Sequence, residues 1–198
     1  MRSSRGPSRM LLAVIAGATM TASTAGASLL LALDTPTMMN HADTIAIVDV
    51  ASARAAWDER HERIVSTVEL SVVESWKGAG APGARIQVVQ PGGSVGDMTM
   101  VVFGMARFAP GERALVFLRG PAQHAAVVGM TQGKRLVQRD PLQGCFLVAA
   151  PDHAGASFVG GAAAAAGGAR VPVLETAARP LDEVRAEIRA LVLRGGAR

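Results

Sequence analysis

The chain has 198 residues, 49% of them hydrophobic, with 20 lysines and arginines against 16 acidic residues and a formal charge of +4. Arg2, Arg5 and Arg9 all precede a charge-free run from residue 10 to residue 33; without them 17 basic residues face 16 acidic ones. That near-balance, with two Trp, five Phe and no Tyr, argues against the basic, aromatic-bearing surfaces that hold nucleic acid, while the length suits one domain with a real core.

The three arginines, the apolar run and the small-residue series Ala25-Gly26-Ala27 make a secretory signal pattern over residues 1–27, with cleavage expected after Ala27. The alternative is an uncleaved membrane anchor, because 24 uncharged residues are enough to span a bilayer. Thr19, Thr21, Ser23 and Thr24 make the middle of the run polar for a stable span. The expected location is the periplasm or the outside of the cell, with membrane contact only if the leader stays attached. Cys145 is the single cysteine, so no internal disulfide forms; its neighbours Phe146, Leu147 and Val148 mark it as a small buried hydrophobe.

The next segment, residues 28–33, reads as a short strand or an irregular start. Asp34-Thr35-Pro36 is a helix-start pattern, with a capping side chain and a proline suited to the first turn, and the helix runs to about His41. Residues 43–50 form a central strand, apolar on both faces through Ile45, Ala46, Ile47, Val48 and Val50, and residues 51–62 a charged connection. The longest strand signal follows over residues 63–78. Ile64, Val68, Leu70, Val72 and Trp76 fall on one face and Thr67, Glu69, Ser71 and Ser75 on the other.

A Gly/Ala/Pro loop after Lys77 leads to a strand over 85–90, stopped by Pro91-Gly92-Gly93. Strands are also expected over 98–103, 113–119, 125–131, 134–138 and 145–149. In 113–119, Leu115 and Phe117 point one way and Ala114, Val116 and Leu118 the other, so both faces are buried. Seven or eight short strands separated by Gly and Pro argue for a mainly β fold over residues 28–151, a closed barrel or a sandwich. Residues 152–178 are Gly/Ala-rich and read as a flexible excursion. Within residues 179–198 an amphipathic helix runs from 181 to 194, with Leu181, Val184, Ile188, Leu191 and Val192 on one face, ready to lie on the barrel.

Several short motifs carry a resemblance. Ala42-Asp43 before a hydrophobic strand, Glu74-Ser75-Trp76-Lys77-Gly78, Gln90-Pro91-Gly92-Gly93, and Phe108-Ala109-Pro110-Gly111-Glu112-Arg113 before Leu115-Val116-Phe117-Leu118 resemble a group of poorly characterised exported bacterial proteins. More distantly they are similar to netrin-like modules, the OB-type barrels that include tissue inhibitors of metalloproteinases. The resemblance covers roughly residues 42–148 and implies an OB or netrin-like barrel. Such inhibitors chelate zinc through an N-terminal cysteine held by disulfides; with Cys145 alone, this chain does not inherit that activity.

Candidate chemistry is sparse. Gly92-Gly93-Ser94-Val95-Gly96 matches the G-x-S-x-G pattern, followed by Asp140 and His153 in hydrolase order. A nucleophile elbow needs a strand in and a helix out, whereas a strand follows here, so a glycine turn between strands is the better reading. Gly129-Met130-Thr131-Gln132-Gly133-Lys134-Arg135 has the wrong glycine spacing for a phosphate loop and Arg where Ser or Thr belongs. His41, His61, His124 and His153 show no metal-ligand spacing, and Asp58 and His61, three apart in a loop, read as solvent-facing polar residues. Met38, Met39, Met98, Met100, Met105 and Met130 read as core filling. No catalytic, cofactor-binding or metal residue is assigned. The expected function is an exported, non-catalytic binding or scaffold module for an envelope or extracellular protein. The alternatives are a serine hydrolase using Ser94 and a membrane-tethered structural module.

Overall fold

The computed structural model describes residues 29–152, 157–159 and 177–195. Strand β1 (Leu29–Leu31) leads to helix α1 (Thr35–His41) and then to two strands of 14 residues each, β2 (Thr44–Trp57) and β3 (Ile64–Lys77). Strands β4 (Arg85–Pro91), β5 (Gly93–Val95), β6 (Met98–Met100), β7 (Arg113–Arg119) and β8 (Ala126–Val127) follow. A 3-10 turn at Met130–Gly133 enters β9 (Lys134–Arg139), and β10 (Phe146–Val148), β11 (Ser157–Val159), β12 (Arg179–Pro180) and helix α2 (Leu181–Gly195) complete the order.

The main sheet runs β12-β10-β9-β7-β2-β3-β4, with β8 attached to β7, and every neighbouring pair is antiparallel. The fold is thus mainly β, with a short helix near the N-terminus and another at the C-terminus. The expected closed barrel does not form. The sheet brings β4 near residues 122–125, where Gln87, Val89 and Ala125 use their backbone N–H groups at 2.6–3.1 Å, but only one isolated bridge, Val88 to Ala125, results. Closure needs a continuous ladder. The strand expected over 125–131 shrinks to the two residues of β8, because Gly129 (φ 64) and Met130 (φ 59) turn the chain into the 3-10 segment.

Alternation along β2 and β7 divides the core in two. Ile45, Ile47, Leu115 and Phe117 face the helices together with Met38, Met39, Val184 and Ile188. Ala46, Val48, Val50, Ala114, Val116 and Leu118 face the other way, onto Val68, Leu70, Val72, Ile86 and Val88. All five residues expected on the buried face of β3 are buried, yet they do not share one face. Between Val72 and Trp76 lies one register shift, opposite Ile47/Val48, which leaves Val73 without a β2 partner and reverses the alternation. Val72 therefore joins the second cluster and Trp76 the helix-facing one.

Strand β2 also extends beyond the expected strand, through most of the predicted connection over 51–62. Its continuation pairs with the first half of β3, from Ser52 opposite Glu69 to Trp57 opposite Ile64. The turn between them is closed by Asp58, whose Oδ1 accepts the Glu62 N–H at 2.8 Å. At α1, Asp34 Oδ1 accepts the Thr37 N–H at 2.8 Å, as the start pattern predicts. Lys77 Nζ donates to the carbonyls of Met39 (3.0 Å) and Ala42 (2.6 Å), serving the C-terminal end of the same helix. In α2, Leu181, Val184 and Ile188 are buried, and Glu74 receives Arg185 and Arg189 at 3.0 Å. Among the described residues, no helix is long and apolar enough to cross a membrane.

Three further differences are local. Cys145 is half-buried rather than buried, with its Sγ 3.9 Å from Gln143 Oε1. It belongs to a turn held by Asp140 Oδ1, which accepts from Leu142 N (2.8 Å) and Gln143 N (3.2 Å), before β10 begins. Arg179-Pro180, immediately before the helix, pairs with β10 as β12. The Gly/Ala-rich stretch contributes β11, which pairs in parallel with β1. The leader, its cleavage site and residues 153–156 and 160–176 of that stretch lie outside the described residues.

A groove under the β5–β6 hairpin as candidate functional site

Strands β5 and β6 form a separate two-stranded sheet, where a single strand over 98–103 is expected from the sequence. The hairpin is tied to the main sheet at its base. Gly92 N–H donates to Ile64 O at 2.8 Å, and Ser66 Oγ donates to Gly92 O at 2.6 Å. A Cβ at Gly93 would lie 2.6 Å from both Ala55 Cβ and Ser66 Oγ, and its φ is +131°. Only glycine allows this approach and this backbone conformation together.

Beneath the hairpin lies a groove of about 350 Å³. Its floor is Ala53, Ser66 and Val68 on the sheet, its roof runs from Gly93 and Ser94 to Val101 and Val102, and its end wall is residues 105–108. The groove continues the second core cluster outward, since Val68 belongs to that cluster and Ala53 and Phe108 pack on its margin. Met98, Val101 and Phe103 stand at or beside the hairpin with 58, 56 and 48% of their surface exposed. Met98 therefore departs from the core-filling reading, whereas Met38 and Met39 are buried as expected. Gln90 donates from Nε2 to Ala106 O at 2.6 Å, while its buried Oε1 has no hydrogen-bond partner among the described residues. Exposed Arg107 lines the end wall without an ion pair among those residues.

The end wall is held by a buried charge. Lys134 Nζ lies 2.6 Å from Glu112 Oε2, donates to Arg107 O, and sits 5.0 Å above the Phe108 ring. Glu112 Oε2 also accepts the Ala109 N–H at 3.0 Å. A buried ammonium is tolerated when its donors are met in this way. A second cavity of about 250 Å³ adjoins it, against Arg107, Glu112, Lys134 and Asp152. The stretch that superficially suggested a phosphate loop is thus a structural joint. Thr131 N–H donates to Gly104 O at 2.8 Å, and the side chain of Gln132 bonds Leu33 N, Leu31 O and Gly129 O. Five consecutive buried residues from Thr131 to Arg135 were not legible as such, because four of them are polar or charged and most of their partners, Gly104, Leu31, Leu33, Glu112 and Thr35 among them, are distant in the chain.

Ser94 occupies the groove's roof, but not as an elbow. It lies in β5 opposite Thr99 of β6, with the two hydroxyl oxygens 2.8 Å apart, and Gly96 (φ 57) turns the chain into a strand. Asp140 is engaged in its own turn, and His153 lies outside the described residues. Asp58 is held below the ordinary carboxylate range chiefly by the Glu62 N–H, with Arg63 adding its N–H and guanidinium. His61 stacks on Trp57 at 6.4 Å between ring centres. No group of three or more metal-ligating side chains forms among the described residues.

The residues that carry the resemblance meet at fold joints rather than in the groove alone. Lys77 reaches Ala42 O, Gly78 (φ +63) abuts Asp43 O, and Asp43 Oδ2 accepts the Gly120 N–H at 2.8 Å. Compared with family models, curated proteins and solved structures, the chain matches none of them.

Proposed function

We propose that this chain is an exported, non-catalytic binding module that holds an envelope or extracellular protein in the hairpin groove. The observation that carries the reading is an uncovered apolar rim: Val101 lines a groove of about 350 Å³, and Met98 and Phe103, both exposed, flank in sequence the segment 99–102 that lines it. Exposed apolar side chains gathered around a concavity mark an interaction site more often than isolated ones do. The hairpin is docked by hydrogen bonds and a glycine contact, so the surface is presented on a defined scaffold. The kinship with netrin-like modules belongs to the same proposal and rests on the short motifs.

The test is affinity capture from the native envelope and medium with the purified mature protein and with a Met98→Asp/Val101→Asp variant. A partner retained by the first and lost by the second, at unchanged circular dichroism, is the expected result. Hydrolysis of an ester or peptide panel that Ser94→Ala abolishes would instead establish the hydrolase alternative. The mature N-terminus of the native protein is expected near Ser28; an intact leader in the membrane fraction would favour the tethered module.

A further inference from the structure

We infer that the groove takes the C-terminal end of a partner polypeptide, an extended apolar segment finishing in a free carboxylate. The inference rests on the binding-module reading and names its ligand chemistry. Three observations carry it.

The hairpin is a sheet of two strands, so the outer edge of β6 has no strand partner among the described residues. Such an edge offers backbone donors and acceptors to an added extended segment, with alternate side chains of that segment entering the neighbouring groove. The uncovered rim is small: three half-exposed side chains offer on the order of 300 Å², well short of the ~800 Å² per partner of a stable protein interface. A flat contact between two copies is therefore under-sized, whereas a single strand adds the groove walls to the rim.

Charge supplies the polarity of the ligand. The groove is lined by Ala53, Val68, Val101 and Val102 together with the neutral polar residues Ser66, Gln90, Ser94 and Thr99, and Arg107 on the same lining is a cation with no ion pair among the described residues. A guanidinium in that setting favours a carboxylate, which it can grip through two parallel N–H donors. The backbone at Arg107 is pinned by Lys134, which Glu112 holds in turn, so the cation is presented from a fixed point on the groove's lining. A terminal carboxylate meets that geometry without using a side chain, leaving the last side chain free for the apolar space. Gln90, also on the groove's lining, has a buried Oε1 with no hydrogen-bond partner among the described residues, a further acceptor beside the site.

The probe is a fluorescein-labelled hexapeptide of alternating threonine and valine ending in phenylalanine, used as free acid and as C-terminal amide, with decanoate as competitor. Fluorescence anisotropy with the mature protein is expected to show the acid binding about tenfold more tightly than the amide, the worth of one charge-assisted pair. Arg107→Gln should erase that ratio, Arg107→Lys should retain part of it, and Met98→Asp should weaken both peptides, all at unchanged circular dichroism. Equal binding of acid and amide overturns the carboxylate assignment; if Met98→Asp still weakens both, the groove reading survives. Binding that neither variant alters, or no binding at all, overturns the inference. Displacement by decanoate as effective as by unlabelled peptide overturns it in favour of a fatty-acid ligand.

Discussion

Asp49 and Arg113 show how one pair links sequence-distant strands. Arg113 reaches both carboxylate oxygens of Asp49, at 2.7 and 2.9 Å, and its hydrogen bonds hold the Asp49 carboxyl below its ordinary pKa. A depressed carboxylate pKa means stability that is present above the unfolded value near ~4 and lost as pH falls through the folded value. Both side chains are more than a third exposed, so the contribution should stay within about 1 kcal/mol. Urea titrations of Asp49→Asn should show a small deficit at pH 6 that diminishes as the pH is lowered through the range in which carboxylates protonate. Gln132 is a larger case. It is buried, and its amide satisfies Leu33 N, Leu31 O and Gly129 O. Gln132→Ala leaves those groups without their partner, at ~1–3 kcal/mol for each that water cannot reach. The expected outcome is a lowered urea midpoint together with faster amide exchange at Leu33.

At the scale of elements, the helices and the central strands follow local rules, and the hairpin does not. Asp34 caps α1 as its position before Thr35-Pro36 implies, so Asp34→Ala should cost ~1 kcal/mol, measured by thermal unfolding. Strand β7 alternates between two cores as the pattern of residues 113–119 indicates. The β5–β6 hairpin instead depends on Gly93 lying against Ala55 and Ser66. Gly93→Ala combines a positive-φ penalty with a collision, about 1–3 kcal/mol of strain. Hairpin undocking is the expected result, read as increased proteolysis between residues 92 and 103 while the main-sheet amides keep their exchange protection.

For the whole molecule, the open sheet is stabilised from one side by α1 and α2. Ile188 is fully buried among Ile47, Phe117, Val184 and their neighbours. Ile188→Ala should destabilise by ~2–5 kcal/mol through lost burial and an incompletely filled cavity, observable as a lower unfolding midpoint. The groove lies on the other core cluster, so this variant should retain peptide affinity below its melting temperature. A matching loss of affinity at temperatures where the variant is still folded would show that the two clusters are coupled.

Period-two and helical patterns, read along the chain, determined that the protein is mainly β, where α1, β7 and α2 lie, and which side chains of β3 are buried. Those properties depend on each residue's own preference for burial and on local capping, which a linear pattern records. Tertiary structure alone decided that Trp76 faces the opposite side from Val72, that β2 continues to Trp57, and that the sheet stays open. Bulges and pairing partners belong to two strands at once, so neither strand's sequence specifies them. The groove has the same origin. Gly93 and Ser94 read as parts of a turn or a weak hydrolase motif until Ala53, Ser66, Val68 and Arg107, brought from three other segments, close around the space beside them.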